Sequence, residues 1–175
     1  LENPGFFRSG GSWVCYIPIP WNAAPGVEEL TVEAGGYTET YELEIRSTEW
    51  AYKDYSSNSQ LTAPYIGAQD LPASVEKLLA SSEDTVAWST GNFVQPFLNS
   101  LDVKLAFGTT EYVGRSYSQR GQNTGAGGRT ATNTVLNTTR GEPLIAPASG
   151  TVLLAQDLGG DLGYTVVIDH GAGVK

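Results

Sequence analysis

The sequence predicts a mainly β protein, in which a small antiparallel β module is followed by a connector helix and an incomplete antiparallel β-sheet domain. Twenty-one glycines and nine tyrosines among 175 residues are typical of strands joined by turns. The strict alternation of Tyr37–Ile45 indicates a strand with one buried face. A single short stretch, near residue 75, has the spacing of an amphipathic helix.

The N-terminal module is predicted over residues 1–58, with strands at residues 12–19, 27–33 and 37–45. A hairpin turn at Gly35-Gly36 precedes the last strand. One face of that strand is apolar except for Glu39 and should pack inward, while the polar face is expected to be solvated. The lone Cys15 is interpreted as a packed residue of a strand.

A linker is predicted over residues 59–87, and it contains one helix over Ala73–Ala80. Val75, Leu78 and Leu79 have helical spacing there. Pro72 suits the first turn, where a missing backbone N–H costs nothing. The helix should connect two β regions.

The third unit is predicted over residues 88–175. Residues 114–139 hold few large apolar side chains and several glycines, so a long mobile surface loop is expected there. Two strands follow, at residues 151–155 and 164–169, joined by a glycine-rich turn. Because the sequence stops in the middle of this pattern, we expect the chain to be cut.

Charge and hydropathy exclude two classes of partner. Ten Lys and Arg against nineteen Asp and Glu give a net charge of −9, which repels nucleic acid and anionic lipid. No stretch approaches the roughly 18 to 20 apolar residues of a transmembrane helix. The first residue is not Met and no signal peptide follows it, so any export signal is expected to have been removed.

The clearest motif covers residues 141–173, GEPLIAPASGTVLLAQDLGGDLGYTVVIDHGAG. It resembles the central sheet of lysostaphin/LytM-type zinc endopeptidases, peptidoglycan hydrolases of the duplicated hybrid motif fold, whose pattern runs G-x-P-[VIL]-x-A-x-x-x-G-x-V and then G-x-x-V-x-I-x-H-G-x-G. Upstream, the segment FVQPF at residues 93–97 and the pair Phe107-Gly108 are similar to the entry of that domain. The N-terminal module, with Ile17-Pro18-Ile19 and Pro25-Gly26-Val27 before its strand-turn-strand segment, is similar to the small β domain that precedes the peptidase in several members.

The resemblance implies a zinc site that this chain does not complete. The family holds zinc with the His and Asp of H-x-x-x-D and the second His of H-x-H. No His, Asp, Glu or Cys occurs between Arg115 and Arg140, where the first motif belongs. Asn133 and Asn137 have its spacing, but neutral carboxamides are poor zinc ligands, so they are at most vestigial positions. The second motif would lie beyond Lys175. We therefore predict no catalytic residue, metal ligand or cofactor.

The remaining candidates are predicted to be structural. His170, the only histidine, matches a strand-end His of the family that is not a zinc ligand. Asp157, Asp161 and Asp169 flank the glycine-rich turn and are interpreted as turn carboxylates rather than as a calcium site. Gly159-Gly160 and the glycine-rich loop are not followed by the Lys-Ser/Thr pair that a phosphate-binding loop requires. A serine triad would have only His170 as its base.

The resemblance, with its incomplete zinc site, implies an exported, non-catalytic protein of the cell surface or cell envelope that associates with peptidoglycan or with a cell-wall hydrolase. One alternative is an active zinc metalloendopeptidase, seen as a fragment and completed by the remaining C-terminal segment of the same domain. A second alternative is a structural surface spacer. This chain alone is not expected to be an enzyme.

Overall fold

The computed structural model describes residues 6–55, 70–81, 92–98, 102–113, 128–160 and 162–175. The mainly β class, built from small antiparallel sheets, is confirmed over these ranges. The boundaries placed after residues 58 and 87 stay predictions.

The chain begins with a short hairpin of β1 (Phe7–Ser9) and β2 (Ser12–Val14), which pair in antiparallel fashion. The strand predicted over residues 12–19 is therefore shorter than expected. Pro18 is consistent with the loss of the end of this range, because proline lacks the N–H that a strand donates to its neighbour.

The next hairpin is a long two-stranded ribbon of β3 (Gly26–Ala34) and β4 (Tyr37–Ile45). Gly35 and Gly36 both have positive φ, at 58° and 82°, which is the conformation that a tight hairpin turn requires. The predicted turn and the bounds of the second strand are confirmed.

The apolar face of the ribbon packs only at one end. Leu43 and Ile45 are half-buried, whereas Tyr37 is 80% exposed and Tyr41 is 51% exposed. The expectation that the whole face packs inward is wrong for the end near the turn, where these two tyrosine side chains are largely in contact with solvent.

The remaining elements follow in chain order: β5 (Tyr52–Tyr55), α1 (Ala73–Ala80), β6 (Asp102–Leu105), β7 (Thr110–Val113), β8 (Arg129–Thr130), β9 (Val135–Asn137), β10 (Thr151–Asp157) and β11 (Tyr164–Asp169).

Helix α1 has the predicted bounds. Val75 is its buried residue, at 3% exposure, while Leu79 of the predicted apolar face is 40% exposed. Pro72 precedes the first turn, and its carbonyl accepts hydrogen bonds from the backbone N–H groups of Val75 and Glu76. Proline thus occupies a position at which its own missing N–H is not needed.

A three-stranded sheet joins distant parts of the chain in the order β5-β7-β8. β5 runs parallel to β7, and β7 runs antiparallel to β8. The sequence predicted only antiparallel sheets, so the parallel pairing of β5 with β7 was not expected. Parallel strands need a long crossover, which the residues between β5 and β7 supply, and local periodicity does not reveal such a pairing.

The long loop predicted over residues 114–139 is wrong for its second half. β8 pairs with β7, and β9 pairs with β6 in antiparallel fashion. These strands have only two and three residues, so they are too short to show a period-two alternation in the sequence. Residues 114–127 of the predicted loop lie outside the described residues.

The C-terminal hairpin consists of β10 and β11 and confirms the two strands predicted there. Its register shifts between Val152 and Leu154. The apolar side chains that are buried among the described residues are spread over the molecule: Phe7, Val75, Leu105, Ala131 and Val167. No helix in the described ranges is both long and apolar enough to cross a membrane.

Candidate functional site

The residues singled out by the C-terminal motif meet at the base of the β10–β11 hairpin. Gly150 precedes β10 and lies against the end of β11. A Cβ atom built on Gly150 would collide with the carbonyl oxygen of Asp169 and would lie 2.7 Å from Cγ2 of Ile168. This position requires glycine because the two chain segments approach too closely for a side chain.

His170 is fixed at the same place. It is only 5% exposed, and its Nδ1 lies 2.8 Å from the carbonyl oxygen of Ser149. Because a carbonyl can only accept, Nδ1 carries the proton and donates it to this bond. The imidazole ring also packs edge-on against Phe93, with 5.1 Å between ring centroids. The histidine therefore joins three segments that are distant in sequence.

The segment at residues 92–98 runs beside residues 145–147. The backbone N–H of Val94 donates to the carbonyl of Pro147 at 2.8 Å, and the N–H of Ile145 donates to the carbonyl of Pro96 at 2.9 Å. These two bonds connect the FVQPF segment to the segment that leads into Gly150. We call the assembly of residues 92–98, 145–150 and 168–171 the hairpin base.

The glycine-rich turns next to the hairpin use carboxylates as caps. Asp157 Oδ1 accepts a hydrogen bond from the N–H of Gly159 at 2.9 Å, and Asp169 Oδ1 accepts one from Gly171 at 2.8 Å. Both are local bonds to a backbone group two residues ahead, as turn carboxylates commonly make. Asp161 lies outside the described residues.

The two residues interpreted as vestigial zinc positions lie before β9 and at its end. Asn133 is exposed in a bend before β9, and Asn137 ends β9. The Asn137 carboxamide nitrogen donates to Oδ2 of Asp102 at 2.8 Å, so the side chain is engaged in a cross-strand bond with β6. Neutral carboxamides in this arrangement do not fit zinc. In the described part of the chain, no three His, Cys, Asp or Glu side chains are grouped closely enough to hold a metal ion.

A partly buried polar pair lies in the three-stranded sheet. Glu111 of β7 is 0% exposed, and its Oε1 accepts a hydrogen bond from the Tyr55 hydroxyl of β5 at 2.9 Å. Burial raises the pKa of Tyr55 to about 12, with further contributions from the hydrogen bond to Glu111 and from its negative charge. The pair stabilises the contact between two strands that are far apart in sequence.

A second candidate site is a cleft of about 480 Å³ between the N-terminal module and the β6–β7 connection. Trp21 lines one side of this cleft, and Trp50 and Phe107 line another. The Trp50 and Phe107 rings make an edge-on contact, with 6.0 Å between centroids. We call this site the tryptophan cleft.

Gly108 fixes the orientation of Trp50. Its φ is +81°, and a Cβ there would collide with the six-membered ring of the Trp50 indole. The indole therefore lies directly on the Gly108 backbone, yet 42% of Trp50 remains exposed. One face of the ring is covered and the rest of the ring is available to the cleft.

The sequence did not point to the tryptophan cleft. Trp21, Trp50 and Phe107 are separated by long stretches, and aromatic residues in β proteins usually belong to the core. Only the pair Phe107-Gly108 had been singled out, as part of the resemblance. No family model matches this chain, and a search of curated proteins finds no relative.

Proposed function

We propose that this chain is a non-catalytic binding module of the cell envelope, in which a region similar to lysostaphin/LytM-type endopeptidases holds peptidoglycan without cleaving it. Binding of this kind would also allow it to position or regulate a cell-wall hydrolase. The protein would be exported to reach this substrate.

The hairpin base is the observation that carries the proposal. The three segments quoted for the resemblance, FVQPF, the G-x-P run and the I-D-H-G strand end, contact one another through Phe93, Pro147 and His170. A chance similarity of three short patterns would not require them to meet. Their contact therefore supports a common origin with the peptidase sheet.

The lack of catalysis is supported by the chemistry of the side chains. Asn133 and Asn137 have the spacing of the family's first zinc motif, but both are neutral carboxamides, and Asn137 is bonded to Asp102. His170 is buried, and its Nδ1 is engaged with the Ser149 carbonyl. These residues offer neither a strong metal ligand nor an exposed general base.

The proposal is tested by co-sedimentation with purified peptidoglycan sacculi, combined with mass spectrometry of the fragments that are released. We expect the chain to sediment with sacculi and to release no fragments, with or without added zinc. Gly150→Ala, which disrupts the hairpin base, should reduce sedimentation, and Gly26→Ala in the ribbon is the matched control.

Two results would contradict the proposal. Release of peptide fragments that depends on zinc would indicate an active endopeptidase. A chain that is folded but stays in the supernatant would favour a surface spacer.

A further inference from the structure

We infer that the tryptophan cleft is a binding site for a neutral oligosaccharide. This inference goes beyond the proposed function, because the ligand class follows from the lining of the cleft and does not depend on any contact with the cell wall.

The aromatic rings provide flat apolar surfaces that are held in place. Trp50 is fixed by Gly108 on one side and by Phe107 at its edge. Trp21 is 40% exposed and belongs to a turn closed by the bond from the Ala23 N–H to the Pro20 carbonyl, 3.0 Å long. Pyranose rings present C–H groups on their faces, and these pack well on rigid aromatic rings at low entropic cost.

Neutral polar groups surround these rings. The carboxamide of Asn22 and the hydroxyls of Ser47 and Thr48 line the cleft. These groups both donate and accept hydrogen bonds, which is what adjacent sugar hydroxyls require. A few polar groups placed around an apolar surface are the usual composition of a small-molecule site.

The charge of the cleft favours a neutral ligand. Arg46 is the charged residue in its lining, and Glu28 is the charged residue in the lining of the smaller hollow beside it. Its guanidinium is paired with the Glu44 carboxylate, through Nε at 3.0 Å and Nη2 at 2.7 Å. The positive charge is thus balanced within the protein, so the cleft offers no strong attraction to an anion.

The shape favours a chain of sugars over a single unit. A second hollow of about 240 Å³ adjoins the cleft and shares part of its lining, including Ile19, Pro20 and Ile45. Because they share these residues, the two hollows are adjacent and both lie at the end of β4 that holds Ile45. An occupant that extends over both contacts more surface than one ring would, and we therefore assign the site to an oligosaccharide.

The test is a titration of the protein with cellotetraose, maltotetraose and N-acetylated chitotetraose, followed by NMR of the indole N–H signals. We expect at least one saccharide to shift the signals of Trp21 and Trp50 in a saturable way and to leave that of Trp13 unchanged. Trp13 is a suitable internal reference because it is 65% exposed and lies on β2, outside the cleft lining.

Variants separate binding from folding. Trp21→Ala should weaken the affinity about tenfold, the loss expected when one stacking contact of about 1.4 kcal/mol is removed. Trp13→Ala should leave the affinity unchanged, and circular dichroism should show both variants to be folded. Asn22→Ala should cause a smaller loss, since one hydrogen bond is removed.

Three results would overturn the inference. The first is that none of the saccharides shifts the indole N–H signals of Trp21 or Trp50. The second is a shift that Trp21→Ala does not weaken. The third is that a polyproline peptide, and no saccharide, saturates the same signals. Because these soluble sugars carry no stem peptides, their failure would leave the sedimentation result with sacculi unaffected.

Discussion

The ribbon of β3 and β4 and the hairpin of β10 and β11 have the same local structure but different surroundings. Both are antiparallel pairs joined by glycine turns. The ribbon leaves Tyr37 and Tyr41 largely exposed, whereas the C-terminal hairpin ends in a base where Asp169 and His170 are buried. The comparison shows that alternation predicts a strand, while contacts with distant segments decide how firmly it is held.

The largest expected change in the free energy of unfolding comes from adding one methyl group to the hairpin base, and the same addition to the ribbon is the comparison. Gly150→Ala places a Cβ against the Asp169 carbonyl and the Ile168 side chain, so the free energy of unfolding should fall by about 2–3 kcal/mol. Gly26→Ala in the ribbon meets no atom within 4 Å and should change it by less than about 0.5 kcal/mol. Urea denaturation of both variants measures the contrast, and equal losses would refute it.

Removal of one side chain from each region, His170 from the hairpin base and Tyr37 from the ribbon, tests the same difference. His170→Ala removes the bond to Ser149 and the packing on Phe93, so the free energy of unfolding should fall by about 2 kcal/mol. Tyr37→Ala at the open end of the ribbon should cost less than about 0.5 kcal/mol. If thermal unfolding shows the tyrosine variant to be the less stable, the assignment of firm and open regions is wrong.

Tyr55 and Tyr41 provide a third contrast, in which both phenols interact with a glutamate. Tyr55→Phe removes the hydrogen bond to the buried Glu111, so about 1–2 kcal/mol of the free energy of unfolding should be lost at neutral pH. Glu39 raises the pKa of Tyr41 through a hydrogen bond and its charge, but this phenol is on the exposed ribbon. Tyr41→Phe should therefore have little effect in the same denaturation experiment.

The pH dependence follows from the raised pKa of Tyr55. Its folded value of about 12 lies above the ordinary value of 10.0, so the native state favours the neutral phenol. The contribution of Tyr55 is complete below pH 10 and is lost as the pH rises through its folded pKa. Wild type should thus lose stability between pH 10 and 12 more steeply than Tyr55→Phe. Parallel curves for the two proteins would exclude this role of the pair.

The smallest effect is expected from the surface ion pair of the ribbon. Arg46 and Glu44 form a contact of 2.7 Å, but their side chains are 79% and 60% exposed. Arg46→Ala should change the free energy of unfolding by less than about 0.5 kcal/mol because water and salt screen such pairs. A loss above 1 kcal/mol, measured by denaturation at low and high salt, would show that the ribbon end is more firmly packed than its exposure indicates.

Local periodicity predicted the elements that depend on neighbouring residues. The bounds of α1, β4 and β11 follow from helical or alternating spacing, and these agree with the structure. The pairing of β5 with β7 and the strands β8 and β9 were not predicted, because their stability comes from contacts across long separations.

The sequence likewise predicted some residues of the candidate sites but not the contacts between them. The motif resemblance singled out His170 and the FVQPF segment, although nothing in their spacing showed that Phe93 packs on His170. The expectation that Asn133 and Asn137 bind no metal rests on the chemistry of the carboxamide and stays a prediction. The tryptophan cleft could not be predicted from the sequence. It is formed by a turn, a strand end and the Phe107-Gly108 pair, which only the folded chain brings together.

The most direct measurement of the central claim is the fraction of the protein that sediments with purified sacculi, recorded together with the fragments released into the supernatant. Our account predicts saturable sedimentation, loss of sedimentation for Gly150→Ala, and no release of fragments when zinc is added. Zinc-dependent release would contradict the non-catalytic role, and the absence of sedimentation by the folded protein would contradict binding to peptidoglycan.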